Sequence, residues 1–225
     1  MRKLLFSAII LVALLLGAEV GVTLLSQHGM EKALSAQYEL PSSLEVSINS
    51  FPYLISLFRN HLGELQLSWD GELQYGVEEG AAANMPYAGR VNLYDVELNM
   101  PSLLTAKLEI RNISRLKAFI YLETNDINEA LGISNGGFFV QDDRVFLLAD
   151  GEKTQYRVKV TDDHSLSLEP MMGYTHTEAS STNNEYRVET VVFKGFPMEA
   201  KLSYASIDGD RVVLSISIPM WEGYL

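Results

Sequence analysis

The side chains in this chain that could do chemistry do not fall into a catalytic or metal-binding pattern. Zinc sites use closely spaced histidines such as HxxxH, whereas the four histidines here lie far apart: His28, His61, His164 and His176. The acidic pairs Asp142-Asp143 and Asp162-Asp163 lack the alternating spacing and downstream Glu of a calcium loop, and they fall where turns are expected. No P-loop or GxGxxG motif is present. We therefore predict no catalytic residue, no metal ligand and no cofactor.

Composition excludes further classes of function. The chain has 225 residues, no cysteine and a net charge of −12. The missing cysteines remove disulfides and thiolate chemistry, and the acidity argues against a nucleic-acid partner, which would need a basic face. We therefore favour a protein without enzymatic activity. A hydrolase or transferase stays as an alternative, and it would require two carboxylates converging about 5–9.5 Å apart, which a sequence does not reveal.

The N-terminal segment predicts export and a membrane helix. Arg2 and Lys3 precede an apolar stretch, residues 4–25, which is interrupted only by Glu19. Basic residues before such a stretch stay in the cytoplasm, so the rest of the chain should be extracytoplasmic. We interpret residues 1–25 as a signal peptide or uncleaved anchor and favour the anchor, because Leu16 makes cleavage after Ala18 unfavourable. The predicted location is the cell membrane, crossed once, or outside the cell if the signal is cleaved.

The residues that follow predict a short helix and then a single domain. Met30, Ala33, Leu34 and Tyr38 recur at helical spacing within residues 26–40, and Pro41 ends the pattern. We interpret residues 26–40 as an amphipathic stalk, with a docking helix as the alternative. Residues 41–225 contain no low-complexity linker, so they are predicted to form one β-rich domain.

Beyond residue 41 the dominant period is two, which is typical of half-buried antiparallel strands. Val46 and Ile48 alternate with polar neighbours, and turn signals such as Asp208-Gly209 separate the segments. Two short helices are predicted, at residues 52–62 and 125–131. The predicted class is α+β and mostly antiparallel β, a long curved sheet wrapped around one or two short helices, with an N-terminal hydrophobic helix.

Four segments resemble the LmeA-like phospholipid-binding family. They are residues 44–54 (LEVSINSFPYL) after the N-terminal helix, residues 123–131 (ETNDINEAL), residues 195–202 (GFPMEAKL) and residues 208–214 (DGDRVVL). The resemblance implies a tubular lipid-binding type of fold. It also implies extracytoplasmic binding of a phospholipid or other acyl lipid, and a role in envelope maintenance such as that of a lipid carrier.

On this reading the apolar residues of the two short helices should line an acyl channel. The predicted lipid-binding residues are Phe51, Leu54, Leu57, Phe58, Ile127 and Leu131. An acyl chain gains about 0.8 kcal/mol for each buried methylene, so an apolar interior would bind one favourably.

A non-enzymatic envelope assembly module without bound lipid is the alternative. It predicts a filled core and an exposed apolar patch used by a protein partner, for which Trp221 and Tyr224 are candidates.

Overall fold

A computed structural model of the chain describes residues 2–38, 42–76, 82–99, 109–130, 133, 136–149, 151–162, 165–171, 186–188, 190–194 and 201–217. These residues group into two compact units. The first comprises Met1–Ser68 and Val91–Leu116, and the second comprises Trp69–Arg90 and Lys117–Gly223. Three strands contribute residues to both units.

Three helices are described. Helix α1 (Arg2–Tyr38) is continuous through the predicted anchor and stalk, α2 is Tyr53–Arg59, and α3 is Thr124–Ala130. Helix α2 is shorter than the predicted residues 52–62. It ends because Asn60 adopts left-handed geometry and its N–H bonds back to the Leu57 and Ser56 carbonyls. Leu62, predicted on the helix, is fully buried in the strand that follows.

Twelve strands are described, in two sheets. The first sheet has the order β1-β2-β3-β4-β12-β11, and β10 also pairs with β2; the second has the order β5-β6-β7-β8-β9. The strands are β1 (Glu45–Ile48), β2 (His61–Gly76), β3 (Ala82–Leu98), β4 (Ile110–Glu123), β5 (Gly137–Gln141), β6 (Arg144–Ala149), β7 (Glu152–Asp162), β8 (Ser165–Pro170), β9 (Tyr186–Val188), β10 (Thr190–Lys194), β11 (Lys201–Asp208) and β12 (Arg211–Ser217). The predicted α+β class, mostly antiparallel with an N-terminal apolar helix, is confirmed.

The period-two pattern places apolar residues on one face of these strands. In β1, Val46 and Ile48 are buried while Glu45 is exposed. In β4, Ala118, Ile120 and Leu122 are buried in the same alternating way. In both strands buried residues therefore alternate with more exposed ones, so that one face of the strand is turned into the interior.

Glycines in β2 and β3 make room for two buried aromatic rings in the second unit. A Cβ atom on Gly71 would lie 2.5 Å from the Tyr87 ring, and one on Gly89 would lie 2.6 Å from the Trp69 ring. The Trp69 indole N–H donates a 3.3 Å hydrogen bond to the Tyr87 hydroxyl. Each ring thus packs over a glycine of the other strand, which stabilises the pairing of β2 and β3 at these residues.

This arrangement predicts a loss of stability at high pH. Burial raises the pKa of the Tyr87 hydroxyl above its usual 10.0, and the hydrogen bond from Trp69 opposes part of that rise. The folded chain therefore holds this proton more tightly than the unfolded chain does. The resulting stability is fully present below pH 10 and is lost as the pH rises through the raised value.

The Tyr87→Phe variant cannot titrate at this position. Below pH 10 it should be about 1 kcal/mol less stable, because the Trp69 hydrogen bond is lost. Above pH 10 the gap should narrow, which urea unfolding on both sides of that pH would measure. Parallel losses in the two proteins would contradict the prediction.

Candidate functional site

Helix α1 changes its surroundings along its length. Its part up to residue 25 exposes many large apolar side chains: Ile10, Val12, Leu14, Leu15, Leu16, Val20, Leu24 and Leu25. Farther along, Met30, Ala33 and Leu34 are almost completely buried, where α1 packs on β1. Among the described residues, Val12–Ala36 is the one helical stretch long and apolar enough to cross a membrane. The predicted span, residues 4–25, coincides with the exposed part as far as side chains are described.

Glu19 joins this helix to α2. Its side chain is 9% exposed, and its two carboxylate oxygens accept hydrogen bonds from the backbone N–H groups of Tyr53 and, at 3.0 Å, Leu54. The residue before α2, Pro52, occupies the N-cap position and makes no side-chain cap hydrogen bond. A carboxylate from a distant part of the chain therefore satisfies two of the free N–H groups at the start of α2.

Two further polar contacts fix the same region. The Glu31 carboxylate accepts a 3.2 Å hydrogen bond from the Val46 backbone N–H at the start of β1. The Ser50 hydroxyl accepts hydrogen bonds from the backbone N–H groups of Gly63, at 2.7 Å, and Glu64, at 3.2 Å. The connection between β1 and α2 is thus held against both α1 and β2.

An apolar groove lies between α1 and this connection. It has a volume of about 380 Å³. The α1 side contributes one stripe at four-residue spacing, Leu16, Val20 and Leu24, and the opposite side includes Ile48 and Phe51. The remaining lining residues are polar: Glu19, Thr23, Gln27, Asn49 and Ser50. We call this cavity the α1 groove.

The lining residues of the α1 groove, apart from Leu16, fall within a segment that matches a known family. The model of the family described as LmeA-like phospholipid-binding matches residues 17–217. The chain belongs to this family. No curated protein and no solved structure matches it.

In this LmeA-like protein the family match begins inside α1, two residues before Glu19. It therefore includes Glu19 and Val20 of the groove, the buried residues around Met30, and all of α2. Within the matched part of α1, Glu19 accepts hydrogen bonds from α2 and Glu31 accepts one from β1. Membership of a phospholipid-binding family indicates lipid binding as the general function and favours it over catalysis.

The structure brings four of the six predicted lipid-binding residues together on or beside α2. Phe51 lines the α1 groove and is 79% exposed. Leu54 and Leu57 are half-buried, whereas Phe58 is 85% exposed. A side chain on the wall of an enclosed channel would be largely buried, so the exposure of Phe58 does not fit that position. Whether these residues hold lipid stays a prediction.

The other two predicted residues are placed differently. Ile127 of α3 belongs to the second unit, where it packs against a buried cluster that includes Phe138 and Tyr156. Leu131 lies outside the described residues, as do Trp221 and Tyr224. Helix α3 is fixed through Asn128, whose amide both accepts from the Phe138 N–H and donates to the Phe138 carbonyl.

A second cleft, of about 580 Å³, lies between β7 and β11 in the second unit. Its lining from β7 includes both Arg157 and Lys159 and the intervening Val158. Adjacent residues of a strand face opposite sides, so these side chains do not all point into one cavity. Lys159 is also paired with Glu169 at 3.2 Å. This cleft has no consistent chemical character, and the α1 groove is the better candidate for an acyl chain.

One observation from the structure and one from the sequence bear on catalysis. Within the described ranges, no three His, Asp or Glu side chains come together as a metal site would require. Residues 132–136 read Gly-Ile-Ser-Asn-Gly, the spacing of a nucleophile elbow. An elbow connects a strand to the helix after it, whereas this segment connects α3 to β5. The order of elements is therefore wrong for that motif.

Proposed function

We propose that this protein is a membrane-anchored, extracytoplasmic phospholipid-binding protein that acts as a lipid carrier in envelope maintenance. The observation that carries the proposal is the α1 groove. One of its walls is the exposed apolar stripe of the helix that is long enough to enter a bilayer. A lipid chain in the membrane could therefore pass along α1 into the groove without crossing a polar surface.

The proposed orientation rests on the charges at the start of α1. Arg2 and Lys3 precede the apolar residues, and positive residues favour the cytoplasmic side. The region around Glu19 and everything after it would then face outward.

The chemistry of the groove suits an acyl chain. Its volume falls within the range of about 300–1,000 Å³ that is usual for small-molecule sites, and its walls are formed mainly by Leu16, Val20, Leu24, Ile48 and Phe51. Its one carboxylate, Glu19, is already occupied by two backbone N–H groups. We propose Phe51 as a direct lipid contact and Leu54 and Leu57 as residues that support it. Ile127 and Leu131 remain predicted contacts in the second unit.

A tryptophan in the groove should exclude the lipid. In Leu24→Trp the larger ring occupies space that three or four methylenes would fill, which costs about 3 kcal/mol, or roughly 100-fold in affinity. We expect native mass spectrometry to find little co-purifying phospholipid, and titration with a fluorescent phospholipid to give a correspondingly weaker Kd.

The neighbouring Leu25→Trp is the matched control. Leu25 is 76% exposed and does not line the groove, so this variant should bind lipid like the parent. Equal binding by the two tryptophan variants would exclude the groove as the acyl site. Absence of lipid from the parent protein would favour the assembly module instead.

A further inference from the structure

Helix α2 exposes apolar side chains, whereas an ordinary surface helix exposes polar ones. Three large apolar side chains at α2 are exposed: Phe51 just before the helix is 79% exposed, Ile55 is 50% exposed and Phe58 is 85% exposed. At 100° per residue, Ile55 and Phe58 fall on one face of α2, and the buried Tyr53 falls on the opposite face; Phe51 precedes the helix and the extended Pro52. We call Phe51, Ile55 and Phe58 the α2 patch. A contiguous exposed apolar patch marks a surface that contacts something apolar.

The α2 patch adjoins the apolar surface of α1. Glu19 holds the first N–H groups of α2, so α2 begins beside residue 19 of α1. Phe51 lines the α1 groove together with Leu16 and Val20, which are themselves exposed on α1. The apolar surface therefore continues from α1 across Phe51 onto α2.

The position of Glu19 along α1 sets the depth at which α2 lies. The apolar helical residues before it, 4–18, extend about 22 Å at 1.5 Å per residue, somewhat less than the roughly 30 Å of a bilayer hydrocarbon core. With Arg2 and Lys3 at the cytoplasmic surface, Glu19 and the start of α2 lie in the outer part of the bilayer, close to its surface.

We propose that the α2 patch inserts into the outer surface of the bilayer, so that α2 is a second, interfacial membrane contact beside α1. The proposal rests on the proposed membrane anchoring by α1. Lipid is the occupant that fits, because the patch continues the surface of a helix suited to lipid. The net charge of −12 also opposes electrostatic adhesion to anionic headgroups, which leaves apolar insertion as the means of contact.

The arrangement of charge on α2 agrees with insertion. Residues 53–58 carry no charge, and the first charged side chain is the exposed Arg59 in the last turn. A basic side chain at that end can reach the phosphate level while the aromatic rings enter the acyl region, as in other interfacial helices. Insertion of Phe51 would also place the mouth of the α1 groove among lipid tails.

The absence of cysteine allows a direct test. Single-cysteine variants of the full chain, each labelled with an environment-sensitive fluorophore, would be reconstituted into phosphatidylcholine vesicles. Labels at Phe58→Cys and Ile55→Cys should be quenched by spin-labelled lipids at a depth of about 5–10 Å below the phosphates and protected from aqueous iodide.

Two controls separate this inference from the proposed anchoring. Leu14→Cys, on the exposed part of α1 and about 7.5 Å along the helix before Glu19, should be quenched by the spin-labelled lipids. Glu45→Cys should be quenched only by iodide. Glu45 lies next to Val46, whose backbone N–H bonds to Glu31. Glu31 is twelve residues, or about 18 Å, along α1 from Glu19, and therefore farther from the bilayer.

The pattern of quenching distinguishes the membrane anchor from the inserted α2 patch. If Leu14 is quenched by lipid and Phe58 behaves like Glu45, the anchor stands and the inserted patch is wrong. If Phe58 is protected from both quenchers, protein covers the patch, as in a dimer, and the inference is also wrong. If neither Leu14 nor Phe58 is quenched by lipid, the anchoring and the inference fail together.

Discussion

The Glu19→Ala variant is expected to release the start of α2 from α1. The substitution removes a carboxylate that accepts two backbone hydrogen bonds and leaves the N–H groups of Tyr53 and Leu54 without that acceptor in a largely buried position. Hydrogen bonds to charged groups contribute about 1.5–3 kcal/mol each, so we expect α2 to lose about 3 kcal/mol of local stability. Hydrogen exchange of the α2 amides should accelerate roughly 100-fold.

Two comparisons show whether the carboxylate is responsible. Glu19→Gln keeps one acceptor oxygen but presents an NH2 group to the other backbone N–H, so it should recover only part of the loss. Glu97→Ala, at an exposed position of β3 in the same unit, should leave α2 exchange unchanged. If Glu19→Ala and Glu97→Ala give the same exchange rates, the Glu19 contact does not hold α2.

The Gly136→Ala variant is expected to be the most damaging small substitution among the described glycines. Gly136 has a φ of +101°, which L-residues rarely adopt, and an added Cβ would overlap the Leu148 carbonyl oxygen of β6. The obstacle is backbone that is itself paired, since Leu148 is opposite Gly137 in the β5–β6 ladder. Backbone strain and overpacking each cost about 1–3 kcal/mol, so the free energy of unfolding should fall by about 3 kcal/mol or more.

Gly151→Ala isolates the steric part of that loss. Gly151 also has a positive φ, +80°, but a Cβ there would meet no atom within 4 Å. This variant should lose only about 1–2 kcal/mol through backbone strain. Urea unfolding of both variants measures the difference, and equal losses would mean that the Leu148 contact relaxes without cost.

The sequence predicted well those features that depend on local patterns. The alternation at Val46 and Ile48 identified β1, and that at Ala118, Ile120 and Leu122 identified β4, because a half-buried strand repeats every two residues whatever lies above it. The second short helix was predicted at 125–131 and is observed at Thr124–Ala130. The class of fold followed from these local patterns.

The face of α2 that is buried could not be predicted in the same way. Tyr53 and Leu57 form one apolar side of the helix, and Ile55 and Phe58 form the other. Hydrophobic periodicity does not distinguish two apolar faces, and we predicted that Phe58 would point inward. The choice depends on α1, whose Glu19 lies 34 residues away from Tyr53 along the chain. Neither that contact nor the hydrogen bonds of Asn128 to Phe138 leave a pattern in a single sequence.

The unbroken helix α1 limits how far the protein can reach. A flexible linker over residues 26–40 would have a root-mean-square length of about 20 Å, and the body it carried could swing away from the membrane. Here Met30, Ala33 and Leu34 are buried in the interior that β1 helps to form, so the helix and the first unit move as one. With α1 in a bilayer, the groove can exchange molecules only with the leaflet beside it or with an acceptor that comes into contact. Transport over a longer distance would then need a second, diffusible carrier.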